Sequence, residues 1–269
     1  MPVSPQDLLR RSGHTAEGEW TSLSQSASGQ VWACDPYVVK SLEGRTSTLF
    51  QAEADGLEIL RVQGCRTPRV HYVDAYGLVS ERVRPGRSQW HDLADQLAGL
   101  HRSMQAHYED TGPTYLGSFE LPSAPRSQDW ASFWRDHRMK PVLDACDLRH
   151  WTFHDALIQL LHTYVPPTEG PVWIHGDLWN GNVLMGEDGA VLIDPSVWIG
   201  ERAVDLAMMT LFGGFPETFW RRYESVYPIP DAVRSALPFY QLYYLLVHVH
   251  LFGGHYLNSV ESIVRRYGS

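Results

Sequence analysis

His175-Gly-Asp-Leu-Trp-Asn-Gly-Asn182 places an acid, a carboxamide and two glycines in a loop between two apolar runs. Upstream, Pro171 to Ile174 reads as a short strand. Downstream, Val183-Leu-Met185 and Ala190-Val-Leu-Ile193 flank Gly-Glu-Asp-Gly, the pattern of a hairpin, and Asp194 ends its second strand. The order strand, Asp-x4-Asn loop, hairpin, Asp suits phosphoryl transfer from a nucleoside triphosphate. Asp177 would accept the proton of the acceptor hydroxyl, while Asn182 and Asp194 would hold magnesium on the phosphates. An Asn/Gly/Asp-rich surface turn would have the same composition but would not need the flanking strands.

The remaining composition narrows the setting. A chain of 269 residues, 43% hydrophobic and 20% charged, can bury a full core and make one or two domains. Its net charge of -9 argues against a nucleic-acid surface, so a polyphosphate would have to be held by a particular Lys and a metal. Ten Trp and thirteen Tyr favour aromatic-walled pockets. Cys34, Cys65 and Cys146, an odd number without a C-x-x-C, suit free thiols in a reducing compartment. Met1 to Gly13 has no apolar signal region and no run reaches the length of a membrane span, so the expected location is cytoplasmic, without a membrane partner.

Along the chain, Ser4-Pro5 and Gly13 bracket a short helix. Trp20 to Leu23, Gln30 to Cys34 and Tyr37 to Lys40 read as strands, and Ser24 to Gly29 is a small polar turn that is either a plain hairpin loop or a cover for phosphates. From Thr46 to Val62, Leu49, Phe50, Leu57 and Leu60 fall on one helical face with Glu53 among them. A carboxylate on an apolar stripe needs a cation, and Lys40 is the nearest in sequence; the alternative is that Glu53 sits at the stripe's edge and faces water. A strand Lys paired with a helix Glu is the arrangement that orients Lys toward nucleotide phosphates. Arg69 to Asp74 and Leu78 to Val83 are two more strands, the second leading into Arg84-Pro-Gly86. That break reads as a hinge whose backbone at Glu81 to Val83 could meet an adenine edge, or as an ordinary edge strand. Beyond it the pattern turns helical, over 90–104, 129–145, 151–164, 202–211 and most of 215–267, with a long connection at 108–127 placed to cover a site. His248 and His250, two apart on a helix, point to nearly opposite sides and cannot share one metal ion.

At His175 to Asn182 the sequence resembles the aminoglycoside phosphotransferase branch of the protein-kinase-like superfamily. With Asp194-Pro-Ser-Val-Trp-Ile-Gly200, Arg202-Ala-Val-Asp205-Leu-Ala-Met208 and Leu211-Phe-Gly-Gly-Phe-Pro216, it is similar to the fructosamine (ketosamine) kinase family. The likeness runs from about Lys40 to about Tyr256. It implies that Asp177 is the catalytic base, Asn182 and Asp194 are magnesium ligands, and Lys40 and Glu53 orient the ATP phosphates. It also implies that His175 and Asp205 support the catalytic loop and that Trp179 walls the sugar-derived part of the substrate. Two positions depart from the family pattern: a Gly-Gly pair is missing from the turn ending at Gly29, and Asn180 stands where the family has Ser, beside the substrate.

The expected fold is therefore α+β and protein-kinase-like: an antiparallel sheet lobe with one helix over 1–84, binding nucleotide, and a larger, mainly helical lobe over 85–269. The expected activity is ATP- and magnesium-dependent phosphorylation of a sugar-derived hydroxyl on a small or protein-bound ketosamine. An aminoglycoside or other small-molecule phosphotransferase, or an inactive nucleotide-binding regulator, are the alternatives.

Overall fold

The computed structural model describes residues 3–16, 18–26, 29–42, 47–110 and 112–267. Helix α1 (Pro5–Arg11) starts on a capping box in which Ser4 and Asp7 exchange side-chain and backbone hydrogen bonds, with Pro5 at its first turn. Strands β1 (Thr21–Ser26), β2 (Gly29–Cys34), β3 (Tyr37–Ser41), β4 (Val70–Asp74) and β5 (Gly77–Glu81) form one antiparallel sheet in the order β1-β2-β3-β5-β4. The tip of the β1–β2 turn, Ala27 and Ser28, lies outside the described residues, and so does Thr46 ahead of α2 (Leu49–Val62).

The period of two along β3 and β5 assigns their side chains to opposite faces. Val39 and Val79, cross-strand partners, pack on Leu8 and Leu9 of α1. Lys40 is paired with Leu78 and shares its face, where Leu78 packs with Phe50 and Ala54 of α2. The alternation that buries Leu78 thus turns Lys40 toward the helix bearing Glu53.

Ties between the sheet part and the rest of the molecule include the linker after β5 and the turn after α2. Gly86 N-H donates to Met185 O at 2.7 Å. The turn after α2 is held by α3 (Trp90–Leu100) and by β10 (Gly189–Leu192), which pairs with β9 (Val183–Gly186). There Arg66 is ion-paired with Asp92, its N-H donates to Gln96 Oε1 at 2.7 Å, and its carbonyl accepts from Leu192 N-H at 2.8 Å.

The larger part buries one extended core, rich in aromatics such as Trp134, Trp198, Tyr240 and Tyr243. Within the long connection expected at 108–127 the chain forms a hairpin, β6 (Thr114–Leu116) and β7 (Phe119–Leu121). The helix expected over 129–145 is α4 (Trp130–Trp134) and α5 (Lys140–Ala145) joined by a π-helical turn, Arg135–Met139. That turn carries Arg138 inward, where its guanidinium lies 4.0 Å from the Trp198 ring and pairs with Asp110, both side chains wholly buried. After α6 (His154–Thr163), β8 (Val172–Ile174) pairs with β11 (Trp198–Gly200). Then come α7 (Arg202–Phe212), α8 (Glu217–Val226), α9 (Asp231–Phe252), which stops at Gly253, and α10 (Leu257–Tyr267). Among the described residues no helix is long and apolar enough to cross a membrane.

Candidate active site

The loop from His175 to Asn182 leaves β8 and enters β9 between the sheet and the helical part. Its first turn requires glycine: Gly176 has φ +80°, and a Cβ there would stand 1.9 Å from Ser196 O. The backbone is held from α7, where buried Asp205 accepts from His175 N-H at 2.7 Å and Gly176 N-H at 2.8 Å. Tyr244 O-H donates to Gly176 O at 2.8 Å.

Asp205 ends a buried relay. Arg202, paired with Glu169, donates to Tyr223 Oη at 3.2 Å. Tyr223 O-H donates to His101 Nδ1 at 2.8 Å, and His101 Nε2-H donates to Asp205 at 3.2 Å. His101 is therefore a satisfied core histidine that connects α3 and α8 to the loop. His175 is also wholly buried; its Nε2-H donates to Ile193 O at 3.0 Å while Nδ1 accepts from Asp177 N-H at 3.3 Å. Burial pushes the His175 pKa down, which keeps the ring neutral and this pair of bonds fixed.

These supports bring Asp177, Asn182, Asp194, Lys40 and Glu53 to one cavity of about 940 Å³. Asn182 Nδ2 donates to Asp177 O at 2.7 Å and to its carboxylate at 3.3 Å, so the carboxamide oxygen stays available as an acceptor. Asp194 has φ +53°, a left-handed conformation that Asp tolerates better than most residues, and its carboxylate contacts Lys40 Nζ. Lys40 also bonds Glu53 at 2.5 Å. Burial works against the Lys40 charge, but Glu53 and then Asp194 overcome it and raise its pKa. Burial, reinforced by the Asp194 carboxylate, pushes the Asp177 carboxyl up to about 7, against the opposing bond from Asn182.

The far side of the cavity is aromatic. Trp179 is 43% exposed there, its ring folded over Gly181, where a Cβ would clash with it. Phe212 lies 5.0 Å from the His248 ring, which also meets Phe252 at 5.4 Å and Tyr256 at 5.0 Å. Asn180 faces Gly214 and lines the same region. Phe212 stands in the family-like stretch Leu211 to Pro216, but no signal in the sequence placed it, Phe252 or Tyr256 at the cavity. His250, by contrast, points away and its Nδ1-H donates to Ala145 O at 3.1 Å, as the helical period requires.

Glu81 and Val83 stand apart from this cavity. Glu81 is exposed at the end of β5, its N-H donating to Arg69 O at 2.9 Å, and Val83 turns its side chain toward Gly186. Their side chains are taken up by the sheet end and the β9–β10 hairpin.

A five-stranded sheet with a Lys-Glu pair, packed above a loop and hairpin bearing Asp, Asn and Asp, defines a protein-kinase-like phosphotransferase. The family model for fructosamine kinase matches residues 24–268, and the chain belongs to that family. A probable ketoamine kinase of Thermus thermophilus is 43% identical over 261 residues, covering 96% of this chain and 97% of that protein. Another, from Lactiplantibacillus plantarum, is 34% identical over 86% of each chain. The solved structure of a candidate fructosamine-3-kinase from Thermobifida fusca superposes with a TM-score of 0.82 at 33% identity, covering 93% of each chain. An aminoglycoside phosphotransferase, at 14% identity and a TM-score of 0.60 over 93% of each chain, shares the fold.

Proposed function

We propose that this protein phosphorylates a hydroxyl on the sugar-derived part of a ketosamine, small or protein-bound, with ATP and magnesium. The observation that carries this reading is the junction, in one cavity, of the Lys40-Glu53-Asp194 and Asp177-Asn182 groups with the aromatic wall at Trp179, Phe212 and His248. The kinase set fits a nucleotide triphosphate, and flat rings fit the carbon face of a sugar.

Asp177 would take the proton of the attacking hydroxyl. A carboxyl with a pKa near neutrality is a competent acceptor of that proton, and its position is fixed through Asn182 and the His175 bond to its own N-H. Lys40, held by Glu53, would carry the positive charge facing the transferred phosphoryl group. The relatives' name and the glycated-amine chemistry it denotes support a role in removing sugar adducts from amines.

The donors available to magnesium are hard oxygens, the Asn182 carboxamide and the half-exposed Asp194 carboxylate, which fit the ion. Among the described residues no group of three or more His, Cys, Asp or Glu could hold a metal ion by itself; phosphate and water oxygens would complete the shell. When bound, magnesium would supply charge neutralisation on the triphosphate. The adenine edge would meet the backbone of the linker after Glu81, including Val83, rather than the side chains. The lobe over 1–84 would hold the nucleotide and the lobe over 85–269 the acceptor.

ADP release should be measured over fructosamines, ribulosamines, erythrulosamines and aminoglycosides, with and without magnesium. Magnesium-dependent turnover of at least one ketosamine is expected. Turnover of aminoglycosides alone, or tight nucleotide binding without any turnover, would replace this reading.

A further inference from the structure

One face of α9 lines the cavity at Tyr244, Val247, His248 and Leu251, the spacing of a helical stripe. Tyr244 reaches the loop that ends at Asn182. Its side chain is 1% exposed and meets the Tyr243 ring edge-on at 5.0 Å, packing that a phenylalanine would make equally well. The hydroxyl adds nothing to that packing, and a buried hydroxyl costs free energy unless it is bonded. It donates to Gly176 O at 2.8 Å. Burial, reinforced by the Asp205 carboxylate, pushes the phenol pKa well up, so the proton of that bond stays on the oxygen.

The carbonyl that accepts this bond belongs to the peptide group joining Gly176 to Asp177. The N-H end of the same peptide donates to His175 Nδ1, at a longer 3.3 Å. On the other side of Asp177, its carbonyl accepts from Asn182 Nδ2 at 2.7 Å and from Trp179 N-H at 3.2 Å. Asp177 thus stands between two peptide planes, each held by hydrogen bonds. The first is the one prone to turn, because Gly176, at φ +80°, has no Cβ to oppose rotation of the peptide that follows it. Such a rotation would swing the Asp177 Cα–Cβ bond, and the carboxylate with it. Of the two bonds that resist it, the one from Tyr244 is the shorter.

We propose that Tyr244 is a positioning residue for Asp177: its hydroxyl fixes the Gly176–Asp177 peptide and so aims the carboxylate at the acceptor hydroxyl. This rests on the reading in which Asp177 takes the acceptor's proton. The Tyr244 hydroxyl acts through the backbone, since it is engaged by Gly176 O and takes no part in the chemical step.

ADP release by wild type, Tyr244→Phe, Asp177→Asn and the double variant decides it, with the ketosamine that wild type turns over. Tyr244→Phe is expected to lower kcat about tenfold, the scale on which a small misplacement of a reacting group acts, with KM for ATP and for the acceptor retained. In the Asp177→Asn background the same change should lower turnover no further, because the carboxylate it aims is gone. Thermal melts supply the control: loss of the hydroxyl should lower the midpoint by a few degrees in both backgrounds alike, since Gly176 O loses its partner whichever residue stands at 177. A kcat equal to wild type, a kcat loss that recurs in the Asp177→Asn background, or a raised acceptor KM at retained kcat each overturns the positioning role and leaves the ketosamine activity standing. So does a Tyr244→Phe protein that does not fold. Wild-type turnover in Asp177→Asn overturns the reading of Asp177 as base, and the role of Tyr244 with it. If wild type accepts an aminoglycoside and no ketosamine, the substrate reading falls and the same cycle, run on that acceptor, decides Tyr244. Absence of ADP release with every acceptor overturns both.

Discussion

Asp205, on α7, accepts hydrogen bonds from the backbone N-H groups of both His175 and Gly176, and so fixes the entry to the loop that ends at Asn182 from 30 residues further along the chain. Asp205→Ala would leave those two buried donors and His101 Nε2-H without an acceptor. Loss of about 3 kcal/mol of unfolding free energy is expected, read as a lower urea midpoint at unchanged slope. Turnover should fall with it even at temperatures where the variant is fully folded. Asp205→Asn, which keeps one acceptor oxygen, should lie between the two.

Gly176 tests the same loop from its backbone. With φ +80° and Ser196 O in the space of a Cβ, Gly176→Ala has both a strained backbone and a clash with main chain. The expected result is a destabilisation of about 3 kcal/mol or more, seen as a thermal midpoint lower by ten degrees or as failure to accumulate as folded protein.

Lys40 and Glu53 should behave as a unit. Lys40→Met leaves Glu53 without its cation, and Glu53→Gln leaves Lys40 oriented by Asp194 alone. Each single change should lower kcat/KM for ATP at least ~30-fold, and the double change should cost little more than the worse single one. Additive losses in that cycle would count against the pair.

Asp177→Asn is expected to reduce turnover at least ~100-fold while nucleotide affinity stays close to wild type. The same substitution should stabilise the metal-free protein. In the unfolded chain this carboxyl titrates near 4, whereas burial and Asp194 raise it to about 7 in the fold. Below the lower value both states are protonated and the residue costs nothing. As pH rises from about 4 to about 7 the folded state is progressively penalised, and above that the penalty is constant. The thermal midpoint of Asp177→Asn, measured with chelator, should therefore exceed wild type by an amount that grows across that window to several degrees. A difference that is flat with pH would refute the assigned cause.

Much of this site was legible in the sequence because its signals are local. The Asp-x4-Asn loop and the following hairpin need only a few consecutive residues to declare themselves. An acid on an apolar stripe announced that Glu53 requires a cation, and strand periodicity turned Lys40 to the same side as Leu78. Less was legible where the partner is distant. The hairpin Thr114–Leu121 lay inside a stretch whose Gly and Pro content reads as connection, and strands of three residues are too short to show a period. The π turn at Arg135–Met139 follows from burying Arg138 against Asp110 and Trp198, partners that no helical pattern reveals.

Taken alone, the sequence pointed to the class of chemistry, to five candidate groups for it, and to a change from strands to helices along the chain. Those follow from residue type, spacing and alternation, which are properties of short segments. Tertiary structure decided what surrounds them: the relay from Arg202 through Tyr223 and His101 to Asp205, the elevated pKa of Asp177, and the aromatic wall. The physical reason is that burial and electrostatics depend on which groups share a volume, and only the folded chain brings residues a hundred positions apart into one.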